Sequence, residues 1–513
     1  MVETLRGAFK RHKDNIFIID SITGAEYTYG QIEDLSLRLS SLLWKHNLRK
    51  GEKVAILLPN RIEFVLLYFS CMHLGAIPVP INVHLHPREV NYILSNSGSR
   101  LLFAESSARK VLENNIIEAF FLSSGKETGM DLIENIKNED IYAPFPFTNA
   151  EDLDSILIMY TSGTTSRPKG VQYSYKNMTA NALAFIQHTG INSSSRFYEV
   201  LSLAYMAGFY NLLFVPFLAG GSVVLAKVFN VSTAFNFWRN IDKYDINSLW
   251  VVPSIISILL SVEHSIEDIQ YFHKEKIKVV FSGTAPLSDY LKTKFEERFS
   301  LPLLNSYGLS ELLFVSANSP RFSDVRGVGK VLPGGMAAIL DDNGQEAGTG
   351  AMGEITVAST CAMDGYYNFD EGAGLIFKDG RFFTGDLGYI DTDGYLHVTD
   401  RKKDIIIKGG INISPREIEE VLLKHALVRE VAVVGIPDSL AGEKIAAVIK
   451  AEKGVLEEDL ARHCHDYLAS FKVPAAFIFV EDFPRSVTGK IQKEKLRQLV
   501  QNTLLAGRND TNH

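Results

Sequence analysis

The sequence predicts an α/β protein: a large N-terminal domain of mixed sheets packed with helices, followed by a small mobile C-terminal α+β domain. Three observations carry this. Short apolar runs alternate with helical patterns along the chain, a charged run follows a turn-rich segment near residue 400, and 513 residues exceed what one hydrophobic core serves. Single domains usually span about 100 to 200 residues.

Lys53 to Leu58 and Ile77 to Val83 read as strands, with Arg61 to Leu74 as the helix between them. The alternation recurs around Ser155 to Met159, Leu249 to Val252 and Val279 to Phe281, each followed by a turn signal and a helix-like segment. Sheets with helices packed on them are the architecture that such alternation specifies. Val200 to Ala226 carries no charged residue and is long enough to cross a bilayer. Pro216, the Gly220-Gly221 pair and Val223-Val224 nevertheless punctuate it as strand, helix, turn and strand, so no transmembrane segment is expected. After the turn-rich stretch Asp391 to Gly394 comes the run DRKKD at Asp400 to Asp404, which reads as a hinge. Domains at 1–402 and 403–513 are expected from it. Beyond it, Ser414 to Lys424 and Glu457 to Tyr467 read as helices, and Val431 to Val434, Ala446 to Ile449 and Phe477 to Val480 as strands. No internal repeat or low-complexity stretch is apparent, which argues against a solenoid.

Hydrophobic residues make up 46% and charged residues 22%, and mean hydropathy is +0.04. These are values of an ordinary globular chain. The formal net charge of −8 provides no basic footprint for nucleic acid. Cys71, Cys361 and Cys464 lie far apart and lack the paired spacings of disulfide frameworks or zinc sites. Met1 to Asn15 lacks the apolar stretch of a secretory signal, so a reducing, cytoplasmic setting is expected.

The stretch Tyr160 to Gly170, YTSGTTSRPKG, follows an apolar strand and sets small, hydroxylated residues beside two cations. Small residues let backbone N–H groups approach phosphate oxygens, hydroxyls add donors, and Arg167 and Lys169 supply positive charge. Thr161, Ser162, Gly163, Thr164, Thr165 and Lys169 are therefore the candidate phosphate contacts. The spacing is not that of a Walker A loop, and a Ser/Thr/Gly cluster taken alone is more often a polar surface loop.

This loop resembles the phosphate loop of the adenylate-forming superfamily, which includes acyl-CoA synthetases, peptide-synthetase adenylation domains and luciferases; the AMP-forming acyl-CoA synthetases are the nearest in pattern. Further similar segments follow in the family's order: SGTAPL at Ser282 to Leu287, NSYGLSE at Asn305 to Glu311, FTGD at Phe383 to Asp386, DRKKDIIIKGGINISPRE at Asp400 to Glu417, and SVTGKI at Ser486 to Ile491. A single short match could be accidental; five in order are not.

The resemblance implies ATP-dependent conversion of a carboxylic acid to an acyl-adenylate with release of pyrophosphate, then transfer to CoA. A carboxylate facing an anionic triphosphate needs cations and donors gathered around the α-phosphate. Lys490 is the implied catalytic ammonium, which Lys493 and Lys495 nearby would otherwise make look like an ordinary surface lysine. Glu311 is the implied catalytic carboxylate that holds Mg2+, a hard cation preferring oxygen ligands. Gly283, Ala285, Ser306, Tyr307 and Gly308 would receive the adenine, while Asp386 and Arg401 would hold the ribose. Lys403 is the implied pivot, and Lys408, Gly409 and Gly410 would line the pantetheine tunnel once the C-terminal domain has moved.

For the acid, Tyr205 stands where relatives carry a histidine or aromatic gate, or an aspartate that pairs with an amino-acid ammonium. With Gly208, Phe209 and Leu312 it makes an apolar pocket without an anion, which favours a fatty or aryl acid and disfavours an α-amino acid. Ser166 and Ser310 depart from the family's usual glycine and threonine. The acceptor is CoA or, in a second reading, the phosphopantetheine of an acyl carrier protein. A third reading, a catalytically weakened binding protein of the same fold, is opposed by the intact Lys490, Glu311, Asp386 and Arg401.

Overall fold

The computed structural model describes residues 2–112, 117–123, 128–141, 151–161, 168–262, 276–322, 325–369, 377–438, 440–485 and 490–510. The chain divides into two compact units. Met1–Thr284, Phe295–Met336 and Ala358–Arg381 form the first, and Ala285–Lys294, Ala337–Val357 and Phe382–His513 the second.

A nine-stranded sheet spans the first unit. Ile16–Asp20, Ser222–Leu225, Arg196–Glu199, Ser248–Val251, Val279–Ser282 and Leu303–Leu309 lie side by side and parallel. Parallel sheets are covered on both faces, so their strands read as continuous apolar runs rather than alternating ones. Ser248–Val251 and Val279–Ser282 are buried at every position. Helix Ile62–Leu74 is likewise buried along its whole length, and it stops where Gly75 turns left-handed at φ 65°. The strand expected over residues 77–83 ends at Pro80 and lies at the edge of its four-stranded sheet. Pro78 and Pro80 have no N–H to give a ladder, which is why an edge accommodates them. The uncharged stretch after Val200 folds as wide helical turns at Ala207–Phe214, a short helix Val215–Ala219, a turn at Gly220, and strand Ser222–Leu225. Among the described residues no helix is long and apolar enough to cross a membrane.

In the second unit Arg381–Ile390 pairs antiparallel with both Gly353–Ser359 and Leu396–Arg401. Further on, Val428–Asp438 and Gly442–Ala451 form a long antiparallel pair with helices on both faces. Successive strand residues point to opposite faces. Val431 and Val433 thus join a core with helices Pro415–Leu423 and Glu457–Tyr467, while Ala432 and Val434 join another with Leu496 and Val500 of helix Lys493–Asp510. Ser414 caps the first of these helices, its hydroxyl accepting from Glu417 N–H at 3.1 Å ahead of Pro415.

Candidate active site

Strand Ser155–Thr161 pairs antiparallel with Lys169–Ser174, and this register puts Thr161 opposite Lys169 at the mouth of the expected phosphate loop. Ser162, Gly163, Thr164 and Thr165 lie outside the described residues, as do Ser166 and Arg167. Strand Gly365–Tyr367 pairs with the far side of Lys169–Ser174. The Lys169 ammonium lies 5.0 Å from the Tyr366 ring centre and 4.4 Å from that of Phe369. Glu311 sits in the tight turn between strands Leu303–Leu309 and Leu313–Ala317. Its carboxylate accepts from the Tyr366 hydroxyl at 2.7 Å. Lys169 and Glu311, far apart in sequence, are therefore brought to the same tyrosine.

The candidate adenine residues stand at the carboxyl ends of adjacent parallel strands, the edge at which open α/β sheets bind ligands. Gly283 follows strand Val279–Ser282, and Ser306 Oγ donates across to the Ser282 carbonyl at 3.0 Å. A Cβ at Gly283 would lie 2.6 Å from that same Oγ, so the close approach requires glycine. Thr284 next to it is left-handed at φ 70°, a conformation that costs a non-glycine residue energy and recurs at binding sites. Tyr307 and Gly308 straddle a bulge in the hairpin, where a Gly308 Cβ would be 2.1 Å from the Leu313 carbonyl oxygen. Ala285 opens the 285–294 stretch of the second unit.

The loop leading to Tyr205 is pinned by three side chains that sequence reasoning missed. Asn60 donates to the Leu201 carbonyl at 2.7 Å and accepts from Leu203 N–H at 2.9 Å, while the Tyr68 hydroxyl donates to the Leu203 carbonyl at 2.7 Å. Glu199, wholly enclosed, accepts from Leu201 N–H at 3.1 Å. Burial pushes its carboxyl well above the ordinary carboxylate range. Gly208 packs so closely that a Cβ would meet the Ser202 carbonyl oxygen at 2.1 Å. Phe209 stacks on Tyr68 with ring centres 4.1 Å apart, and Leu312 is buried. The Tyr205 hydroxyl is buried without a hydrogen-bond partner among the described residues.

In the second unit Asp386, 3% exposed, receives Arg401 Nε at 2.7 Å across a strand pair that places the two directly opposite. Lys403 lies in the single 3-10 turn that follows, where burial and the nearby Arg401 and Arg497 charges pull its ammonium down. Gly409 and Gly410 form a two-residue hairpin between Ile406–Lys408 and Ile411–Ile413, with φ of 59° and 80°. Lys408 Nζ donates to the Phe471 carbonyl at 2.9 Å. Lys490 is exposed, and its neighbour Ile491 forms a bridge with Arg485. Lys493 differs from it: half-buried, it pairs with Glu419 at 2.9 Å and anchors the start of the last helix. In the sequence only the TGKI context of Lys490 set these two lysines apart.

Residues 5–367 match the AMP-binding enzyme family, and residues 417–490 match the C-terminal domain of AMP-binding enzymes. The chain belongs to the AMP-binding enzyme family. This AMP-binding enzyme is 31% identical to a sulfoacetate–CoA ligase of Cupriavidus necator, with 94% of each chain covered. It is 32% identical to the long-chain-fatty-acid–CoA ligase FadD13 of Mycobacterium tuberculosis, again over 94% of each. Among solved structures it superposes on the o-succinylbenzoate CoA synthetase MenE of Bacillus subtilis, in complex with its acyl-adenylate intermediate, with a TM-score of 0.83. Identity there is 30%, over 96% of this chain and 97% of that one.

Among the described residues no group of three or more His, Cys, Asp or Glu side chains could hold a metal ion by itself. In this AMP-binding enzyme a single oriented carboxylate, Glu311, instead suits Mg2+, which keeps waters and takes phosphate oxygens alongside one or two protein carboxylates.

Proposed function

We propose that this AMP-binding enzyme is an acid–CoA ligase that activates a fatty or aryl carboxylic acid as its acyl-adenylate. The carrying observation is the convergence of Lys169 and Glu311 on Tyr366, which sets a cation and a metal-suited carboxylate at one place in the first unit. In the reaction a carboxylate oxygen bonds to the α-phosphorus and pyrophosphate leaves. Thr161 and Lys169, with Ser162 to Thr165, bind the phosphates; Glu311 would hold Mg2+, whose charge would offset that of the departing pyrophosphate. Gly283, Ala285, Ser306, Tyr307 and Gly308 receive the adenine, and Asp386, oriented by Arg401, accepts the ribose hydroxyls. Lys490 provides the ammonium that joins the two anions. Movement about Lys403, at the boundary between 1–402 and 403–513, then exchanges Lys490 for Lys408, Gly409 and Gly410, and the thiol displaces AMP from the acyl carbon.

Phe209, Leu312 and the buried wall around them support an apolar acyl group. The relatives themselves are ligases of acids as different as sulfoacetate and long-chain fatty acids, so membership of the family does not select the acid. The deciding experiment is acid-dependent ATP/pyrophosphate exchange over fatty, aryl, sulfonated, dicarboxylic and amino acids, followed by transfer to CoA or to a carrier protein. Exchange with a fatty or aryl acid and transfer to CoA are expected. Silence with every acid would overturn the enzymatic reading, and transfer to the carrier alone would replace CoA as acceptor.

Tyr205 yields a separate expectation. An unpaired buried hydroxyl is costly, so Tyr205→Phe should stabilise the protein by about 1 kcal/mol, read as a raised thermal midpoint. Its KM for a purely apolar acid should stay within about twofold, whereas an acid that pairs with the hydroxyl should lose about tenfold.

A further inference from the structure

Tyr366 meets both ionic ends of the ATP site. Its hydroxyl donates to Glu311 Oε1 at 2.7 Å, and its ring centre lies 5.0 Å from Lys169 Nζ. The strand that carries it, Gly365–Tyr367, pairs with Lys169–Ser174, and just before that strand Met363 N–H donates to the Glu311 carbonyl at 2.9 Å. Glu311 is thus tied to this one segment by both backbone and carboxylate, and Lys169, next to Gly170 that pairs with Tyr367, by the ring faces of Tyr366 and Phe369.

The geometry points to Tyr366 as a positioning residue that aims the Glu311 carboxylate at a divalent cation and holds the Lys169 ammonium toward the phosphates. This rests on the reading of Glu311 as the Mg2+ carboxylate. The terminal torsion of a free glutamate is broad. A phenol hydrogen bond on one oxygen narrows it, so the other oxygen presents its lone pairs in one direction. Partners that orient a metal-binding carboxylate in this way are worth about tenfold to a hundredfold in metal affinity. The ring acts differently, because an ammonium over an aromatic face is held by the quadrupole without losing its charge. An acidic partner in that place would hold the lysine and also neutralise it. Aromatic contacts at Tyr366 and Phe369 leave the full charge for a phosphate.

The test uses the full chain with Mn2+ as probe, titrated in the presence of a non-hydrolysable ATP analogue and read by the electron paramagnetic resonance of free Mn2+. Affinity for the analogue is also measured with chelator and no metal. Tyr366→Phe keeps the ring and should weaken Mn2+ by about tenfold while leaving the metal-free analogue affinity unchanged, which also reports an intact fold. Tyr366→Leu should lose the analogue by about threefold more, and adding Tyr366→Phe to Glu311→Gln should weaken Mn2+ no further than Glu311→Gln alone. Wild-type Mn2+ binding by Tyr366→Phe, with Glu311→Gln still impaired, overturns the positioning role of the hydroxyl. So does an additive loss in the double variant. Unchanged metal-free affinity in Tyr366→Leu overturns the role of the ring. Wild-type Mn2+ binding by Glu311→Gln overturns the assignment of Glu311 itself.

Discussion

Lys490→Ala is expected to lower acid-dependent ATP/pyrophosphate exchange by about a thousandfold while supplied acyl-adenylate is still converted to thioester within about twofold of the wild-type rate. The asymmetry follows from charge. Bringing a carboxylate onto a triphosphate sets like charges together, and a positioned cation that strengthens its hold as charge redistributes removes an amount of barrier on the order of 4 kcal/mol. Attack of a thiol on an acyl-adenylate involves no such meeting of two anions. Lys490 is exposed beside Ile491, which bridges to Arg485, and Lys493 three residues on pairs with Glu419. Lys493→Ala should therefore lower thermal stability without separating the half-reactions. Equal loss of exchange and thioester formation in Lys490→Ala would refute the division of labour, and stopped-flow measurement of each half-reaction distinguishes the outcomes.

The converse effect is expected at the glycine hairpin. Gly410→Leu should leave exchange within about twofold and reduce thioester formation by about a hundredfold. Among the described residues nothing lies within 4 Å of a Cβ built at Gly410, so the first atom of a larger side chain enters open space. The penalty inside the fold is that of φ 80°, which costs an L residue about 1–2 kcal/mol. Gly410→Ala carries the same backbone penalty with little bulk and serves as the control. If alanine and leucine impair thioester formation alike, strain in the hairpin is responsible and the tunnel assignment fails. If leucine alone does so, obstruction of the incoming thiol is responsible. A collapse of exchange in Gly410→Leu would also reject the assignment.

Much of the architecture was legible from local pattern. Apolar runs bounded by turn residues became the parallel strands, because a strand buried on both faces has to be apolar throughout. Helix Glu457–Tyr467 coincides with its expected range, and Ser414 with Pro415 announced the start of the helix before it. Other boundaries moved. The strand expected over 431–434 extends to Val428–Asp438, because pairing with Gly442–Ala451 carries it well past its apolar centre. The wide turns at Ala207–Phe214 had no periodic signature, since every side of that segment is enclosed and no polar stripe marks a face.

By itself the sequence determined the succession of elements, the order of the motifs and the residues with chemistry to offer, because propensity, capping and turn preferences act over a few neighbouring positions. Only the tertiary structure decided which of those residues share a place. Tyr366 reaches Glu311 across 55 positions, Asn60 clamps a loop 141 positions away, and the Glu199 carboxyl is pushed upward only because other parts of the chain bury it. Each of these depends on burial or on a contact between segments distant along the chain. A hydrogen bond or a shifted protonation state of that kind arises when the sheet assembles, and no local pattern of side chains encodes it.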